Sequence, residues 1–144
     1  MSDFLKSWFS GFEKGLEGLP DQECIDILCQ CGKACSESYS LGIYQKIWNK
    51  ANNIPDFFAL LNSGFDDISV NEVKKNKTYE ICYSKCLCDL HTKGYINSGK
   101  LCECSRQSIL YNLNTVIADK EVEVELIDSI LRNADKCILR VTIS

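Results

Sequence analysis

Apolar residues recur every three to four positions through the first 64 residues and every second position through much of the rest, so the chain reads as helices followed by strands. Phe4, Leu5, Trp8, Phe9, Phe12 and Leu16 form an aromatic stripe on a first helix, whose end Gly15 and Gly18 loosen. Pro20 suits the first turn of a second helix, with Asp21 and Glu23 at its positive end. Cys24, Ile27, Leu28, Cys31, Ala34 and Cys35 share one face of that helix and are expected to face the core, while Cys29 points elsewhere. A third helix carries Leu41, Tyr44, Ile47, Trp48 and Ala51 and breaks at Asn52-Asn53; Pro55 and Asp56 open a fourth, PDFFALLN, which Gly64 stops.

From Asp67 the period changes to two. Ile68 and Val70, then Tyr79, Ile81 and Tyr83, alternate with polar residues around a KKNK turn, which predicts a hairpin. A cysteine-bearing loop with Gly94 and Gly99 follows. Ser105 is the expected N-cap of a helix with core face Ile109, Leu110, Leu113, Val116 and Ile117. EVEVELIDSIL and CILRVTI form a second hairpin, with Val122, Val124 and Leu126 inward, Glu121, Glu123 and Glu125 on a solvated face, and Cys137 in phase with Leu139, Val141 and Ile143. The expected fold class is α+β: N-terminal helices, then an antiparallel sheet of about four strands in two hairpins with an intervening helix. One domain over 1–144 is expected, divided into an aromatic helical arm (1–19), a helical part (20–64) and a cysteine-containing α+β part (65–144).

Composition narrows the function. Hydrophobic residues make up 45% of the 144 positions, enough for one core, and the net charge of −4 gives no general attraction to phosphate backbones, so nucleic acid is not an expected partner. The opening MSDFLKSWFSGFEKGLEG has neither a basic leader nor an uninterrupted apolar run; no secretory signal or transmembrane segment is expected, and the expected location is cytoplasmic. A reducing cytosol leaves metal ligation, redox chemistry or burial to account for the ten cysteines.

The densest chemistry lies between Cys82 and Cys104. Two Cys-x-Cys pairs, Cys86 with Cys88 and Cys102 with Cys104, flank thirteen residues that contain the only histidine, His91. Paired thiols at both ends of a loop are candidate ligands for zinc or an iron–sulfur cluster, and Cys31, Cys35, Cys82 and Cys137 form a possible additional thiol site. Placed just before a helix N-terminus, Cys102 and Cys104 are expected to be stabilised as thiolates. A Cys88–His91 dyad is the alternative reading, a cysteine-dependent hydrolase or reductase. Serine-elbow, phosphate-loop and dinucleotide motifs are absent.

The order strand, CLC, glycine-bearing loop, YINSGKLCECS, amphipathic helix and VEVELIDSILRNADKCILRVTI resembles the four-vinyl reductase family, within the ligand-binding fold shared by nitric-oxide-signalling and Golgi-transport proteins. It is most similar to a cysteine-rich bacterial branch, loosely related to thiazoline-carboxylate hydrolase-like proteins, that also shows a CGxxC segment like Cys31 to Cys35. The resemblance covers residues 65–144 well and 20–64 weakly. It implies a pocket for a small, mostly apolar molecule between sheet and helices and, in some members, a zinc nearby held by thiolates and a carboxylate. Cys137 matches the last of those ligands and Cys102 or Cys104 the first; Ser129 and Leu126 stand where the others are expected. Phe57, Phe58, Tyr79, Tyr83 and Tyr95 are the candidate pocket wall, a role that competes with plain core packing. The expected function is binding or sensing of an apolar or amphipathic small molecule; a homodimeric interaction module built on the first helix is a further alternative.

Overall fold

The computed structural model describes residues 2–144. Helix α1 (Ser2–Glu17) is fastened at its C-terminal half. Leu16 is buried, the Lys100 ammonium donates to the carbonyls of Glu17 and Leu19 at 3.0 Å each, and the Glu13 carboxylate accepts from the Asn97 and Ser98 amides. Its N-terminal half is not covered. Phe4, Leu5 and Trp8 are exposed; Phe9 leans on Tyr95 with ring centroids 5.4 Å apart, so the aromatic stripe meets the body only in part.

Helices α2 (Asp21–Cys35) and α3 (Leu41–Lys50) form one rod joined by a π-helical turn, Ser36–Ser40. The buried residues of α2 are Cys24, Leu28 and Gly32, and Ser36 continues their four-residue spacing. This corrects the expected inward face, since Ile27, Cys31 and Ala34 lie at the surface. Gly32 is the reason. A Cβ there would stand 2.7 Å from Gln107 Cβ and 2.9 Å from Cys104 O and Ser108 N, so the bare backbone of α2 rests on helix α6 (Cys102–Val116) and turns its larger side chains away. The π turn continues this contact through polar groups: Ser36 Oγ lies 2.6 Å from Ser108 Oγ, and Asn112 Nδ2 donates to Ser40 Oγ at 3.1 Å. Helix α4 (Ile54–Ser63) is capped by Asn53, whose side chain accepts from the Asp56 amide at 2.8 Å.

Four antiparallel strands, β1 (Ile68–Lys74), β2 (Thr78–Tyr83), β3 (Val122–Asp128) and β4 (Cys137–Ile143), lie in the order β1-β2-β4-β3, so the two hairpins join through β2 and β4. The α+β class, the two hairpins and the intervening helix are as expected from the alternating pattern. One sheet face (Tyr79, Ile81, Val124, Leu139, Val141, Ile143) packs with Tyr44, Phe57, Phe58, Leu61, Ile109, Leu113 and Ile117. The opposite face carries Glu80, whose carboxylate accepts from Arg140 at 2.7 Å, and the exposed Glu123 and Glu125. Arg106 donates to Val124 O at 2.9 Å and so caps part of the open β3 edge.

The segment entering α6 departs from expectation. A 3₁₀ turn, Gly99–Leu101, capped by Ser98, leads directly into the helix, so Cys102 and Cys104 sit in its first turn and Ser105 is not the cap. The short α5 (Asp89–Thr92) precedes it. Among the described residues no helix is long and apolar enough to cross a membrane.

Candidate functional site

Helix α6 links two ends of the molecule, one rich in thiols and one open. At the thiol end the Cys-x-Cys loop, the end of α2 and the start of β4 meet the first turns of α6. The cysteines form a chain of neighbours close enough for their thiolates to repel. Cys104 feels Cys35, Cys31 and Cys88; Cys86 feels Cys88 and Cys137; Cys102 feels Cys137 and Cys86. The loop thiols Cys86, Cys88, Cys102 and Cys104 are thus distributed around the first turns of α6 at the same end of the molecule as Cys31, Cys35 and Cys137. Cys82 stands apart: it is buried in β2, opposite Ile138 in register.

The expected helix-stabilised thiolates are not what this packing produces. Burial, then repulsion from Cys35, Cys31 and Cys88, pushes the Cys104 thiol from 9.0 up to about 12. The Cys102 thiol is also raised, by burial first, although the Ser129 hydroxyl 2.8 Å away and Arg132 oppose the shift. Desolvation is the leading effect at both positions. Cys35 and Cys86 are raised for the same leading reason, so none of these four carries the depressed pKa of an activated nucleophile. His91 turns its Nδ1 towards the Ile96 carbonyl, 3.3 Å away.

Among the described residues no three His, Cys, Asp or Glu side chains already stand as a metal shell. The zinc set implied by the resemblance can be tested directly. Cys102 and Cys137 do approach each other around the Ser129–Ile130 turn, where Cys137 Sγ accepts from the Ile130 amide at 3.4 Å. Between them, however, is the neutral Ser129 hydroxyl, which already accepts from the Leu131 amide, and Leu126 is apolar. Two thiols, an alcohol and a hydrocarbon do not fit a zinc shell of thiolates and a carboxylate.

The candidate aromatic wall divides. Phe57, Phe58 and Tyr79 are at most 2% exposed, and Phe58 stacks on Tyr79 at 4.0 Å, so they fill the core with no room between them. The Tyr79 hydroxyl is buried without a partner; burial, then the Glu72 carboxylate on the neighbouring strand, raises its phenol to about 12. Tyr83 is half-buried at the core margin and Tyr95 belongs to the α1 contact.

The open end of the molecule holds a cleft of about 630 Å³ that no sequence motif marked. Three connections meet there: α3 to α4, β1 to β2, and α6 to β3. Trp48, Ile54, Pro55 and Ile143 give it apolar surface, and Lys77, Lys120, Asn53, Asn76 and Asp119 its polar rim. Asn76 takes a left-handed conformation (φ 60°) in the lysine-rich turn, and Lys74 and Lys75 precede it. Trp48 contacts Phe57 edge-on, centroids 5.8 Å apart, so the cleft rests on the closed core.

No protein-family model matches the chain, the four-vinyl reductase family included, and no curated protein matches it. Among solved structures, its fold is similar to that of a trafficking protein particle complex subunit 3 from Naegleria fowleri covalently bound to palmitic acid, at 14% identity and a TM-score of 0.52, over 99% of this chain and 95% of that one. The likeness is one of fold.

Proposed function

We propose that this protein binds a small amphipathic molecule, with an apolar body against Trp48, Ile54, Pro55 and Ile143 and an anionic head at Lys77 and Lys120. The observation that carries the reading is the cleft itself. Its volume of about 630 Å³ lies within the roughly 300–1,000 Å³ common for ligand sites, and it joins apolar surface to a lysine rim in a chain whose net charge is −4. The fold likeness to a protein that holds palmitic acid adds support for an acyl-type ligand. The closed packing of Phe57, Phe58 and Tyr79, where the resemblance implies a pocket, supports reading the cleft beside it as the binding place.

Thermal denaturation with decanoate and with decanol tests this reading. Decanoate should raise the melting temperature in a saturable way, decanol less so, and Lys77→Glu with Lys120→Glu should remove the difference. No stabilisation by decanoate up to its solubility limit, or stabilisation indifferent to both lysines, would sink it.

A further inference from the structure

The KKNK turn at the mouth of the cleft is held through its backbone. The Lys77 amide donates to the Lys74 carbonyl at 3.0 Å, the Ile143 amide to the Lys77 carbonyl at 2.9 Å, and the Asn76 amide to the Glu72 carboxylate at 3.1 Å. Glu72 lies at an irregularity in β1, where two steps along β1 meet one along β2 between the pairs Glu72 with Tyr79 and Lys74 with Thr78. Asn76 stands at φ 60°, in the left-handed region where glycine is the least costly residue. A glycine would close the same turn and bring no side chain to the cleft. Asparagine is tolerated in that conformation and does bring one to the lining.

The two asparagines on the rim are used differently. Asn53 Oδ1 accepts from the Asp56 amide and is committed to capping α4. The Asn76 side chain makes no hydrogen bond among the described residues, and it adjoins Lys77 on the same rim. Lys77 and Lys120 bring charge on flexible four-carbon stems, which attract an anion without fixing its orientation. Asn76 has a short side chain on a backbone already held by Glu72. We propose that Asn76 is a head-group contact, donating a side-chain N–H to an oxygen of the anionic head, and that Glu72 is the positioning residue that holds it there. The inference rests on the reading of the cleft as an amphipathic-ligand site and adds to it the residue that orients the head.

The experiment measures decanoate and decanol binding to the full chain and four variants, with the ligand-free melting temperature and the rate at which a lysine-specific protease cuts the turn. Asn76→Gly should weaken decanoate binding by about three- to tenfold, change decanol binding less, and leave the melting temperature where it was, because the turn backbone is kept. Asn76→Asp should weaken decanoate binding further, since a carboxylate replaces the donor. Glu72→Gln keeps an acceptor for the Asn76 amide and should bind decanoate at least as well as the parent. Glu72→Ala should be cut faster at the turn and lose affinity on the scale of Asn76→Gly. Were Asn76 only a turn residue, Asn76→Gly would bind decanoate like the parent; that result overturns the proposal and leaves the cleft reading standing. A parent chain that binds no decanoate overturns both. Turn cleavage in Glu72→Ala at the parent rate overturns the role given to Glu72.

Discussion

The two halves of α6 rest on different physics. Its C-terminal half places Ile109, Leu113 and Ile117 in a closed apolar core, where stability comes from area removed from water, about 1.5–3 kcal/mol for each fully buried large aliphatic side chain. Its N-terminal half sets Cys104, Gln107 and Ser108 against a bare stretch of α2, where the contact is held by backbone proximity and hydroxyl bonds such as Ser36 to Ser108. The apolar half tolerates exchange between apolar side chains of equal volume, and neither polar groups nor cavities. The second has no room for a methyl group, yet concentrates the groups that can react or coordinate.

The contrast can be broken first in the core. Phe58→Ala removes a ring that stacks on Tyr79 and touches Phe57, and should cost about 3–5 kcal/mol in chemical denaturation. Gly32→Ala should cost less, about 1–3 kcal/mol, because the methyl meets backbone atoms of α6 that cannot swing aside. Unlike Phe58→Ala, it should also change the alkylation rate of Cys104 in the native state, because it pushes α6 away from Cys31 and Cys35. A Gly32→Ala protein as stable as the parent would mean that the helices do not approach so closely.

Tyr79→Phe deletes a buried hydroxyl that has no partner, and should be neutral or stabilising by up to ~1 kcal/mol at neutral pH. Its phenol is raised, so the neutral form is favoured in the folded state. Stability from this group is therefore constant below the ordinary value of 10.0 and falls as pH rises from there towards about 12. Tyr83, raised to about 12 by burial, adds to the same alkaline loss, and Tyr79→Phe should reduce it without abolishing it. An alkaline stability curve unchanged by Tyr79→Phe would show that the phenol is hydrated.

Periodicity read from the residues located both hairpins, the four N-terminal helices and the glutamate face, because each depends only on neighbours a few positions apart. Gly32 shows where that reasoning stops. Helical spacing ranks Cys31 and Ile27 with Leu28, whereas the real interface is chosen by what lies across it, a backbone 72 residues away that only a glycine admits. The thiol pKa values failed for a similar reason: a position near a helix N-terminus is visible in sequence, but the burial and the neighbouring thiols that outweigh it are not. The cleft left almost no trace. Trp48, Lys77, Lys120 and Ile143 are ordinary in their own segments, and the sole hint was the KKNK turn, whose Lys77 meets Trp48, Ile54 and Pro55 only after β1 packs on α4.

Trp48 lines the cleft and reports directly on what enters it. The chain has two tryptophans, and Trp8 is exposed on α1, so Trp8→Phe leaves Trp48 as the sole indole. Titrating that variant with decanoate should give a saturable shift of the Trp48 emission to shorter wavelength, as the acyl chain displaces water from the indole, and Lys77→Glu with Lys120→Glu should weaken it by about tenfold or more. Emission that stays constant, or drifts linearly with no saturation and no dependence on the lysines, would contradict binding at the cleft.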